Sequence, residues 1–115
     1  MHIKYQDYNA EVVFVPYLTN GNTALQLCDV ETMESITMAT ANTHIKVDPN
    51  IVLLKTWSYN TGIAEELIKA GVIKEQHVIE IPSGFEIIYG YELTPRAEKE
   101  RQRQYEVNEY DSIRF

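Results

Sequence analysis

Apolar and polar positions alternate through most of the first 42 residues, and that period of two predicts a run of strands. His2–Tyr8 places Ile3, Tyr5 and Asp7 on one face and reads as a strand at a sheet edge. Glu11–Leu18 (EVVFVPYL) is the densest β-branched and aromatic run. Pro16 cannot donate a ladder hydrogen bond, so it belongs at an edge or a bulge. Thr19-Asn20-Gly21-Asn22 predicts a hairpin turn, because Asn-Gly tolerates the positive φ of tight turns. Thr23–Val30 follows, with Ala24, Gln26 and Cys28 facing one way and Leu25, Leu27 and Asp29 the other. Glu31-Thr32-Met33-Glu34 reads as a second turn and Ser35–Asn42 as the third strand of a meander.

Asp48-Pro49-Asn50 then breaks the chain, and Ile51–Lys55 reads as a strand buried on both faces. The period changes to that of a helix at Ile63, Ala64, Leu67, Ile68 and Val72. Asn60 or Thr61 is the expected N-cap, Glu65 and Glu66 suit the positive helix end, and Gly71 suits the left-handed stop. His77–Ile81 and Phe85–Leu93 read as strands separated by Pro82-Ser83-Gly84. Thr94-Pro95 is a helix start, with Thr as N-cap and Pro at the first helical position. Arg96–Tyr105 holds good helix formers but little apolar surface, which predicts an exposed or projecting helix. Val107, Tyr110, Ile113 and Phe115 are spaced apolar residues near the end.

Strands before and after one short helix predict an α+β fold. The expected architecture is an antiparallel β-sheet meander with the 61–71 helix on one face and a polar C-terminal helix. Residues 1–93 read as a single α+β domain and 94–115 as a C-terminal helical extension.

The bulk numbers narrow the functional classes. At 115 residues the chain can bury one small core. The N-terminus lacks the long apolar stretch of a signal peptide, and no run approaches a membrane span. A single cysteine, Cys28, rules out an internal disulfide and fits a reducing compartment, so a cytoplasmic protein is expected. The net charge of −7 is uneven. Residues 1–93 carry 5 Lys and Arg against 12 Asp and Glu, whereas 94–115 carry 5 of each. Nucleic-acid affinity depends on clustered cations, so an acidic body argues against direct nucleic-acid binding and suits a basic protein surface.

Several segments together resemble the family known as domain of unknown function 4313. They are Asn22-Thr23-Ala24-Leu25-Gln26-Leu27, Thr37–Asn42 (TMATAN), Lys55–Gly62 (KTWSYNTG), Leu67–Ile73 (LIKAGVI) and Ile81–Phe85 (IPSGF). They span roughly residues 20–90 in the same order. The resemblance implies a small protein of bacterial plasmids, conjugative elements and phages, with no assigned activity. It transfers no catalytic residue, and residues 94–115 depart from the pattern as an extension.

No catalytic constellation is visible. His2, His44 and His77 lack metal-ligand spacing, so no metal or cofactor is expected. Cys28 has no sequence-local activator, there is no G-x-S-x-G or S-x-x-K, and the five glycines stand singly. Glu65 and Glu66 diverge by about 100° on a helix and form no acid–base pair. Arg96, Lys99 and Arg103 share a stripe on the C-terminal helix, offset by Glu98 and Glu100. The better candidates are recognition residues. Trp57, Tyr59 and Asn60 fall in a strand-to-helix loop, where aromatics anchor interfaces. The competing role for Trp57 is to wedge the helix on the sheet, because a lone Trp is usually buried. Tyr89 and Tyr91 share a strand face, and Glu31 and Glu34 fall in an exposed turn.

These features predict a non-enzymatic, acidic protein-binding module of a mobile genetic element. Its partner would be a host or element-encoded protein, such as a defence protein inhibited in the anti-CRISPR or anti-restriction manner. Two alternatives stand beside it. One is an accessory protein that forms homo-oligomers through Tyr89, Tyr91 or the tail helix. The other is a small-molecule binder with a helix–sheet pocket at Trp57, Tyr59 and Asn60.

Overall fold

A computed structural model describes residues 1–107. Seven strands form one sheet: β1 (His2–Tyr5), β2 (Tyr8–Pro16), β3 (Thr23–Asp29), β4 (Ser35–Met38), β5 (Ile51–Leu54), β6 (Ile79–Ser83) and β7 (Glu86–Glu92). Two helices, α1 (Ile63–Lys69) and α2 (Pro95–Val107), complete the α+β fold. Of the spaced apolar residues near the end, Tyr110, Ile113 and Phe115 lie outside the described residues.

The sheet order is β1-β2-β3-β5-β7-β6, with β4 paired to β3. All pairs but one are antiparallel. The exception is parallel β3–β5, which meet at Thr23 and Val52. β4 explains it. It pairs with the C-terminal half of β3, and its continuation bridges to β5 through Thr40 and Leu54. β4 is thus a short wedge in a meander, and β3 and β5 close on each other where it ends.

Leu53 and its neighbours Val52 and Leu54 are all buried, on opposite faces of β5. One face carries the main core, in which Phe14, Leu25, Leu27, Val52 and Leu54 pack against Ile63, Leu67 and Val72. The other face carries a smaller cluster of Leu53, Ile81 and Ile88. Gly90 sits on this side of β7, where an added Cβ would meet Ile79 Cβ at 3.0 Å and Leu53 Cδ2 at 3.1 Å.

Local signals at two helix ends are realised. Gly71 has φ +75°, its N–H donates to Ile68 O at 3.0 Å, and Val72 N–H donates to Leu67 O at 2.9 Å. This is the paired 5→2 and 6→1 pattern of a Schellman stop. Thr94 caps α2, its Oγ1 accepting from Ala97 N–H at 3.2 Å.

Three expectations are corrected. The His2–Tyr8 segment is not one strand: it folds back at Gln6-Asp7, so Tyr5 pairs with Tyr8. Gln6 takes the turn's positive φ of 54°. The N-cap of α1 is neither Asn60 nor Thr61 but Gly62, at φ 86° and without a side-chain cap. Finally, α2 does not project. Ala97 is fully buried in the main core, and Arg101 and Gln104 are buried along the same face. β1 covers only part of β2, leaving the edge of β2 open at Phe14. Gln104 closes that edge: Phe14 N–H donates to its Oε1 at 2.7 Å, and its Nε2 donates to Val12 O at 3.1 Å. By the alternation of a strand, Pro16 faces the same open side, where it has no ladder donor to lose.

Candidate functional site

The topology gathers four turns at one end of the sheet. The β1–β2 turn lies at the start of β2, beside the end of β3, where Val30 N–H donates to Asn9 O at 3.1 Å. The β3–β4 turn is at that same end. β5 runs parallel to β3, so the loop after it emerges there too. β7 is antiparallel to β5, pairing Tyr89 with Leu54, which brings the Gly84–Phe85 tip to the same end. The sheet curls enough for the first and third of these turns to touch. The Tyr5 hydroxyl and Gln6 Nε2 both donate to the Tyr59 carbonyl, the latter at 3.4 Å.

Each of these four segments exposes a large apolar side chain. Tyr8 is 45% exposed, Met33 54% and Tyr59 84%, and Phe85 is fully exposed. Around them stand Asp7, Glu31, Glu34 and Glu86, all exposed, and none is in an ion pair among the described residues. Lys4 and Lys55 are the cations in the strand ends that feed these turns.

Side chains brace two of the turns. Asp29 Oδ1 accepts from Glu31 N–H at 2.8 Å and Thr32 N–H at 3.2 Å, and Thr32 Oγ1 accepts from Glu34 N–H at 3.2 Å. Met33 takes φ 61° at the tip. Across the arc, Asn60 is buried and anchors its loop: its Oδ1 accepts from Thr37 Oγ1 at 2.6 Å, and its Nδ2 donates to Met38 O at 3.0 Å. Asn60 is therefore a structural anchor and no contact residue.

Trp57 is half-buried. It packs with the Leu53, Ile81 and Ile88 cluster, on the sheet face away from α1, so it does not wedge the helix on the sheet. Its exposed side shares a cleft of about 250 Å³ with Thr37, Lys55 and Tyr59. Of the residues singled out from sequence, the fold thus brings Tyr59, Glu31 and Glu34 to one end and leaves Trp57 and Asn60 in supporting roles.

Tyr89 and Tyr91 lie elsewhere, on the helix side of β7. They line an open cleft of about 420 Å³ between the start of α1 and the sheet, with Thr56, Thr61, Glu65 and His77. The His77 ring stands edge-on to Tyr89, with centroids 4.8 Å apart at 64°, and to Tyr91 at 6.0 Å and 69°. Its Nε2 is 3.0 Å from Glu80 Oε1. Burial, and then the charge of Glu65 and the neighbouring Tyr89, raise the Tyr91 hydroxyl above its ordinary pKa.

Sequence reasoning missed Phe85, Met33 and Tyr8 as exposed apolar side chains at this end and His77 as an aromatic neighbour of Tyr89 and Tyr91. The available signal was a large apolar residue inside a turn: Phe85 directly follows Gly84, and Met33 stands between Thr32 and Glu34.

Other chemistry is sparse. Cys28 is buried, and desolvation, followed by the Glu11 charge, raises its thiol pKa, which disfavours the reactive thiolate. Among the described residues no group of three or more His, Cys, Asp or Glu could hold a metal ion, and no helix is long and apolar enough to cross a membrane. Comparison with family models, with curated proteins and with solved structures finds no match to this chain.

Proposed function

We propose that this chain is a non-enzymatic protein-binding module that meets a basic protein surface through the four-turn end of its sheet. The observation that carries the reading is the coincidence of Tyr8, Met33, Tyr59 and Phe85, all exposed, with Asp7, Glu31, Glu34 and Glu86. Interface energy concentrates in a few apolar anchors, while unpaired charges around them steer encounter and select the partner's sign. An exposed aromatic such as Phe85 gains by burial against a partner, at roughly 25 cal/mol for each Å² removed from water.

The resemblance over residues 20–90 supplies a biological setting. A mobile element benefits from disabling host defence, and a defence nuclease presents a basic nucleic-acid groove. An acidic, aromatic-tipped surface matches such a groove in charge, which supports the inhibitor reading. The test is the plating efficiency of a targeted phage on bacteria that carry one restriction or CRISPR system and express this chain. The reading predicts that plating rises with the wild type and returns to the defended level with a Tyr59→Ala/Phe85→Ala variant. Unchanged plating across a panel of such systems would remove the inhibitor reading.

A further inference from the structure

The geometry points to the Tyr89–Tyr91 cleft as a binding site for an organic cation, either a guanidinium or an alkylated ammonium head. The cleft shares Thr56 and Thr61 with the loop that carries Tyr59, but none of Tyr8, Met33, Tyr59 and Phe85 lines it, and the inference does not rest on the protein-binding reading. Its volume, about 420 Å³, falls in the range of roughly 300–1,000 Å³ typical of ligand clefts.

Three features set the chemistry. First, Tyr89 and Tyr91 stand on one strand face and are half-buried, so they offer electron-rich ring surface that attracts cations. Second, the Glu65 carboxylate lies on the opposite wall, exposed and in no ion pair among the described residues. Among the described residues the lining contains no Lys or Arg to neutralise it. Third, His77 is held in place by Glu80 and closes one side edge-on to both tyrosines. The Tyr89 and Tyr91 hydroxyls have no hydrogen-bond partner among the described residues, which leaves acceptors for a cation's N–H groups.

One feature opposes a cation. The start of α1 also borders the cleft, and a helix N-terminus carries up to about half a positive charge. α1 has only seven residues, and the full charge of Glu65 in its first turn outweighs that partial charge. An anion would meet Glu65 and two tyrosine faces, with no Lys or Arg among the described lining residues to hold it.

The test follows the tyrosine ring resonances of the whole chain by NMR at neutral pH and low salt. The probes are N-acetyl-arginine amide, choline, and 3,3-dimethylbutanol as the neutral isostere of choline. Both cations should shift the Tyr89 and Tyr91 signals saturably, and the neutral isostere should not. A preference for the arginine amide assigns the cleft to a protein side chain, and a preference for choline assigns it to a free small molecule. Glu65→Gln, an exposed change, should weaken cation binding about fivefold, the upper end of what one exposed ion pair contributes. Tyr89→Leu should abolish it, with thermal melting used to verify folding. The Tyr59→Ala/Phe85→Ala variant should bind the cations as the wild type does, which separates this site from the four-turn end. Equal response to the neutral isostere, absence of saturable shifts with either cation, or wild-type affinity in Glu65→Gln would overturn the assignment.

Discussion

Gln104→Met tests whether α2 belongs to the sheet it covers. Methionine nearly matches glutamine in volume and shape, so packing is retained while the side-chain hydrogen bonds to Phe14, Val12 and Glu100 are lost. The change leaves Phe14 N–H without its 2.7 Å acceptor and Val12 O without its 3.1 Å donor. Val12 is fully buried and Phe14 only 1% exposed, so water cannot replace the lost partners without opening the helix. An unsatisfied buried polar group costs about 1–3 kcal/mol. Two such groups, partly relieved by fraying of the helix end, give an expected loss of about 2–4 kcal/mol. That is a large share of the roughly 5–15 kcal/mol that stabilises a small domain. Urea denaturation should show the midpoint falling with the slope unchanged, and amide exchange should show Phe14 losing protection. A loss below about 0.5 kcal/mol with Phe14 still protected would refute the edge-closing role of Gln104.

Other outcomes rest on packing and charge. Asn60→Ala should cost about 1–3 kcal/mol in chemical denaturation, because it breaks the part-buried bonds to Thr37 and Met38 that anchor the Tyr59 loop. Gly90→Ala should cost about 1–3 kcal/mol by overpacking against Ile79, Leu53 and Ile51, and a wild-type melting temperature would contradict that close approach. Hydrogen bonds from Arg103, aided by Gln104, hold the Glu100 carboxyl down at about 2 from an ordinary 4.5. Because the folded-state value is the lower one, Glu100 stabilises the fold above pH 4.5, and this contribution disappears as the pH falls through about 2. The pair is solvent-exposed on its Arg103 side, so screening keeps the effect small. Denaturation midpoints of Glu100→Gln should therefore fall slightly below wild type at pH 6 and converge with it below about pH 2.

The features legible in the sequence were local ones. Gly71, Thr94-Pro95 and Asn20-Gly21 each encode a turn or a cap within a few residues, and all three act as expected. The apolar run Ile51–Leu54 likewise specified burial on both faces of β5. What remained hidden depended on distant partners. Asn60 has the chemistry of a cap, yet its side chain is taken by Thr37 and Met38. Gln104 reads as one more polar residue of a solvated helix until β1 covers only part of β2 and leaves an open edge. Ala97, Arg101 and Gln104 are spaced to share a helix face, but one small and two polar side chains give no hydrophobic signal. The Gln6-Asp7 reversal lacks the glycine or asparagine that marks most tight turns. The four-turn end was hidden for a different reason: each tip is visible alone, and only the β3–β5 parallel pairing and the β5–β7 pairing bring them together.

The most direct test of the proposed binding surface is paired affinity capture from a bacterial lysate at low and high salt. Wild type and the Tyr59→Ala/Phe85→Ala variant would be immobilised side by side after their melting curves are matched. The account predicts proteins that are retained by the wild type at about 0.1 M salt, where the Debye length is still about 10 Å, and that are weakened at high salt and lost with the variant. Recovery of the same proteins in equal amounts by both, or of none by the wild type, would contradict it.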